Sequence, residues 1–163
     1  MIPIKQKLTR KGLGFSAGEW RPLLKSGWGK VGRFWHRVIL RKHFTVAGAS
    51  EYGYQRRSKG HETRKLRKYG HRRPLVFTGD LERQVSRVVD VRASSKGARV
   101  VLHGPRYLWQ YRKDYGQPNK AAELQTVSKR DAKLLAEVLD EHIRQEANRG
   151  TGTVDITGGH RAA

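Results

Sequence analysis

The sequence predicts an α+β fold: a small antiparallel sheet packed by an early basic helix and a C-terminal helix, with a long basic arm. Three observations lead there. Apolar residues recur at 3-and-4 spacing from Val31 to Ile39 and from Leu134 to Ile143, the signature of a helix with one buried face. Two β-branched stretches flank a Ser/Lys/Gly turn at residues 94–97, as in a hairpin. Between the first helix and the hairpin, residues 44–73 carry many cations and no clear period. A chain of 163 residues suits one core rather than two. The expected layout is an N-terminal arm over 1–29, a single α+β domain over 30–148 that includes the basic arm 44–73, and a mobile C-terminal tail over 149–163.

Taken in order, residues 1–29 hold Gly12, Gly14, Gly18, Gly27 and Gly29 among scattered aromatics, a density that opposes a regular helix. Gly29-Lys30 is not a phosphate loop, because Leu24 stands where the motif needs glycine and Val31 where it needs Ser or Thr. From Lys30, the stripe Val31, Phe34, Trp35, Val38 and Ile39 predicts a helix ending near His43, with Lys30, Arg33, Arg37 and Arg41 on its other faces. Within 44–73, Tyr52, Tyr54 and Tyr69 alternate with Arg56, Arg57, Lys59, Arg64, Lys65, Arg67, Lys68, Arg72 and Arg73, around a short helix at Glu62–Lys68. Those aromatics are suited either to stacking on bases or to pinning the arm to protein.

Pro74-Leu75-Val76-Phe77 follows as a short apolar anchor, and Gly79 redirects the chain. Thr78 is placed to cap a helix that starts at Asp80. Beyond the hairpin, Tyr107, Trp109 and Tyr111 alternate with Leu108 and Gln110, which predicts a strand with three aromatics on one face. Ser128 and Asp131 read as a capping pair for the last helix, which ends near Asn148 at Arg149-Gly150.

Charge dominates the composition. Lys and Arg number 35 against 14 Asp and Glu, a net charge of +21 with a pI near 11.0. Through Gly79 the only acids are Glu19, Glu51 and Glu62. Such a surface attracts nucleic acid or an acidic protein. The absence of cysteine removes disulfides, thiol nucleophiles and thiolate metal sites. No apolar run spans a membrane, and no signal peptide is expected. The seven histidines lack metal-ligand spacing, so His36 and His43 read as packing or surface residues. Asp80/Glu82 and Glu137/Asp140/Glu141 read as helix-face carboxylates rather than an acid–base pair. No catalytic residue, metal or cofactor is expected. Zinc-finger, homeodomain and RNP signatures are missing from the sequence, so no base-specific reader is indicated.

The segment Arg73-Pro74-Leu75-Val76-Phe77-Thr78-Gly79-Asp80-Leu81 resembles the central signature of the virion-morphogenesis and tail-completion proteins of tailed bacteriophages, a family of head–tail joining and minor tail proteins. In this chain the signature positions are Pro74, Leu75, Val76, Thr78, Gly79 and Leu81. The likeness extends in element order from Trp20-Arg21-Pro22-Leu23 to Leu124–Asp131. One departure is that Tyr111 stands near the family's histidine position and Gly116 follows late. The resemblance implies a structural, non-enzymatic virion protein, assembled in the host bacterial cytoplasm. It would form a homo-oligomeric ring at the neck or tail junction, beside other neck, tail or portal-proximal proteins and around non-specifically held DNA. Arg33, Arg37, Arg41 and the cations from Arg56 to Arg73 are the expected DNA or inter-subunit contacts. A non-specific RNA- or DNA-binding protein of ribosomal-protein-like type accounts for the same charge.

Overall fold

The computed structural model describes residues 17–110 and 118–150. It is an α+β fold in which helices pack against one two-stranded antiparallel sheet. Helix α1 spans Ala17–Phe34, so residues 17–29 are helical rather than an irregular arm. Glycine there serves close approach. A Cβ on Gly27 would meet Leu139 Cδ1 at 2.7 Å, and one on Gly32 would meet Val91 Cγ1 at 2.5 Å. The helix therefore loses some intrinsic propensity and gains contact on two sides. Trp20, Leu23, Trp28 and Val31 form its buried stripe. Pro22 lies early in α1 and supplies no N–H to the carbonyl of Gly18, which is exposed and can turn to water.

A single π-helical turn, Trp35–Ile39, continues α1 into the short α2, Leu40–Lys42. The wider turn brings adjacent residues inward in pairs, and Trp35, His36, Ile39, Leu40, His43 and Phe44 are all buried. Helix α3, Val46–Glu51, is capped by Thr45, whose hydroxyl accepts from the Gly48 amide at 2.9 Å. Only glycine fits at 48, because a Cβ would lie 1.9 Å from the Lys42 carbonyl oxygen.

The basic arm is largely ordered helix. Helix α4 spans Lys59–Tyr69, longer at both ends than the expected 62–68, with Ser58 as its N-cap and Gly70 closing it at φ 70°. The signature then makes a three-residue turn in which the Val76 amide donates to the Pro74 carbonyl at 2.6 Å. Leu75 at its centre has φ 54°, a strained value for a branched side chain. That turn delivers Val76 to the core.

Helix α5, Asp80–Arg87, buries Leu81 and Val85. Its N-cap is Gly79, in the left-handed region at φ 87°, and not Thr78 as the sequence suggests. Thr78 Oγ1 donates to the Asp80 carboxylate at 2.6 Å and accepts from the Asp80 amide at 3.4 Å. Strands β1, Asp90–Ser94, and β2, Gly97–Val101, form the expected hairpin, with Arg92 opposite Arg99. The hairpin lies on α1 through Ala93, Ala98 and Val100.

The expected aromatic strand is absent at 107–110. Arg106–Trp109 instead form one helical turn, α6, which buries Leu108 and leaves Tyr107 and Trp109 exposed. Gly104 permits this, since its Cβ would meet Leu108 Cδ2 at 2.6 Å. Tyr111 lies outside the described residues, as do the first 16 residues of the expected arm and the tail from Thr151. Helix α7, Lys120–Gln125, is capped by Asn119, and α8 runs over Lys129–Gly150, past the expected end at Asn148. Leu135, Leu139 and Ile143 on α8 close the core against α1.

Candidate nucleic-acid interface

Local sequence does not reveal which cations are free, because their partners lie far along the chain. Arg57 is committed: its guanidinium donates to both Glu123 carboxylate oxygens, at 3.0 and 2.6 Å, and to the Gln55 carbonyl at 2.9 Å. Arg73 is committed too, donating to Glu82 at 2.7 and 2.8 Å and to the Phe44 carbonyl at 3.1 Å. Lys65 is buried and donates to the Arg73 carbonyl. Burial, and then the charges of Arg57 and Arg73, lower its pKa. These three fasten the arm to the domain and are poor candidates for an outside partner.

The remaining expected contacts are exposed and have no ion pair among the described residues: Arg33, Arg37 and Arg41 on α1–α2, and Arg56, Lys59, Arg64, Arg67, Lys68 and Arg72 on and around α4. The two groups belong to one body, since Arg73 ties the α4–α5 connection to the end of α2.

The signature and the arm form a single unit. Phe77 lies edge-on to Tyr69, with ring centroids 4.8 Å apart, and is 5.7 Å from His61. The Lys68 ammonium sits over the Tyr69 ring at 5.3 Å, and Phe77 keeps 37% of its surface exposed. His61 has its pKa lowered by burial and by the cations Lys65, Arg64, Arg57 and Lys120 around it. An anion placed there meets several cations at short range. The result is a surface of unpaired cations interleaved with aromatic rings, suited to phosphate contact and to stacking.

A second cluster went unseen at the sequence level. His43 is fully buried and stacks flat on Tyr52, with ring centroids 3.9 Å apart at 3°. Its Nδ1 shares a hydrogen bond with the Tyr54 hydroxyl. Tyr52 donates to Asp131 at 2.7 Å, Lys42 donates to the same carboxylate at 2.7 Å, and Ser128 donates at 3.0 Å. Burial would raise the Asp131 pKa, but hydrogen bonds from Lys42, Tyr52 and Ser128 hold it below the usual range. Burial lowers His43 to about 4, so it is neutral at pH 7. His36 is likewise structural: its Nε2 donates at 2.8 Å to the Val85 carbonyl, one of the last acceptors of α5 left without an intrahelical donor.

This cluster locks the α2–α3 corner to the start of α8. Among the described residues no three His, Asp or Glu side chains are grouped to hold a metal ion, and no helix is long and apolar enough to cross a membrane. Compared with known proteins, the chain matches no family model, no curated protein and no solved structure.

Proposed function

We propose that this chain is a structural virion protein of a tailed bacteriophage, a tail-completion or connector subunit at the head–tail neck or tail junction that forms a ring around the DNA channel. The observation that carries the reading is the union of two features in one surface. The phage-like signature Arg73–Leu81 packs through Phe77 onto α4, and α4 turns outward the cations that have no acidic partner. A ring lumen needs cations that tolerate a polyanion without reading its bases, so that DNA can slide. Exposed Lys and Arg on helix surfaces meet that need. Its partners would be further copies of itself and the neighbouring neck, tail or portal-proximal proteins, with DNA held non-specifically.

The test is mass photometry and negative-stain imaging of the purified protein, alone and with duplex DNA. Discrete rings with a duplex-wide hole are expected without DNA. Monomers at every concentration would overturn the reading. A second reading, a general RNA- or DNA-binding protein, is favoured by the exposed Phe77 ring beside Tyr69 and Lys68, which suits an unstacked base. It expects monomers that bind single strands more tightly than duplex and release them as salt rises.

A further inference from the structure

An open groove of about 360 Å³ runs between α1 and α8, well away in sequence from the basic arm. Its apolar lining is Phe34, Leu134 and Val138. On the α8 side it is edged by Glu137 and Glu141, four apart and so on one face of the helix, and on the α1 side by Lys30. In this chain of charge +21 the two acids share with Glu51, Glu62 and Asp90 the lack of a cation within 3.0 Å among the described residues. Asp80, Glu82, Glu123, Asp131, Asp140 and Glu146 each have a cation within 3.0 Å. Glu137 reaches only Lys133 on its own helix, at 4.0 Å, and Glu141 only the side-chain amide of Gln145. The apolar floor and the weakly paired acids along its α8 edge together ask for an apolar side chain with cations on that side.

The chain carries such a feature. On α4, Leu66 is 39% exposed. Lys59, seven residues before it, shares its face, Arg67 stands beside it, and Glu62, four residues before it, lies on its other flank. Both cations are exposed and lack an ion pair among the described residues. Arg64 and Lys68 point from the opposite edge of the helix and stay available for DNA.

We infer that the α1–α8 groove receives α4 of a second copy of this chain, with Leu66 on the apolar floor and Lys59 and Arg67 against Glu137 and Glu141. This rests on the ring reading and names the contact that would build it. Groove and helix are different surfaces, so the contact is heterologous: each copy gives one and receives one, and the series closes into a ring when the rotation allows.

A pair of charge reversals tests the assignment. One variant carries Glu137→Lys and Glu141→Lys, the other Lys59→Glu and Arg67→Glu. All four side chains are exposed, and circular dichroism checks that both variants fold. Each alone sets like charges against each other, so the concentration at half assembly is expected to rise at least about tenfold, read by mass photometry. An equimolar mixture restores opposite charges at every junction and is expected to reassemble into alternating oligomers with even subunit numbers. Full assembly of both single variants at the wild-type concentration would overturn the docking while leaving the ring reading intact. A mixture that stays monomeric would overturn the pairing of these two surfaces. A wild-type protein that never assembles would overturn the docking and the ring reading together.

Discussion

Replacing Asp131 by alanine probes the buried cluster most directly. The carboxylate is fully buried and accepts from Lys42, Tyr52 and Ser128, while Ser128 in turn accepts from the Asp131 amide at 3.1 Å. Removing one partner of a buried pair costs about 3–5 kcal/mol when the orphaned charge cannot reach water. Here Lys42 keeps 31% of its side chain exposed and can rehydrate. The Tyr52 hydroxyl is more confined, and an unsatisfied buried donor costs about 1–3 kcal/mol. The expected loss is therefore about 2–3 kcal/mol, or roughly 4–12 °C in Tm for a chain of this size. Urea denaturation of wild type, Tyr52→Phe, Asp131→Ala and the double variant completes the cycle. Tyr52→Phe alone should cost about 1 kcal/mol. In the double variant the two losses should fall short of adding, because both remove the same bond. A cost below about 0.5 kcal/mol for Asp131→Ala, the range of ordinary surface changes, would refute the view that the cluster holds α8 to the α2–α3 corner.

Further outcomes follow from the same geometry. His43 has a folded-state pKa of about 4 against an ordinary 6.5, so the unfolded chain binds its proton first. The neutral ring's contribution is full above pH 6.5 and is lost as pH falls towards 4, on the order of 3 kcal/mol across that window. His43→Phe, which keeps the stack on Tyr52, should flatten that slope in denaturation measured from pH 7 to 4. Gly48→Ala places a methyl 1.9 Å from the Lys42 carbonyl and should cost more than about 2 kcal/mol in urea melts. Gly60→Ala meets nothing within 4 Å and should be neutral or stabilising by up to about 1 kcal/mol. Arg64→Ala with Lys68→Ala should weaken duplex binding and reduce the log–log salt slope by roughly two, measured by fluorescence anisotropy. Arg57→Ala, whose cation is spent on Glu123, should lower stability and leave that slope unchanged.

Features set by short-range pattern were legible in the sequence. The α8 stripe, its Ser128 cap and the hairpin turn all depend on residues within a few positions of one another. The glycines of α1 misled because their role is tertiary: Gly27 and Gly32 are notches for Leu139 and Val91, more than fifty residues away. The alternating aromatics at 107–111 gave a strand signal, but the tight passage at Gly104 winds Arg106–Trp109 into one turn and buries Leu108 alone. The candidate site was readable as composition and not as geometry. Which of the cations are free depends on carboxylates as distant as Glu123, and Asp131, read as a helix cap, also anchors Tyr52 from 79 positions away.

The π-helical turn at Trp35–Ile39 has an effect on the surface opposite the core. In an α-helix, residues four apart overshoot a full turn by about 40°, so a row at that spacing spirals slowly around the axis. A π turn takes more residues to come round, and the same spacing falls short. Arg33, Arg37 and Arg41 are four apart and straddle this segment, so overshoot and shortfall oppose each other and their Cα positions stay close to one line along the axis. The wider turn that buries His36 and Ile39 on the inside thus keeps three arginines in register along the outside.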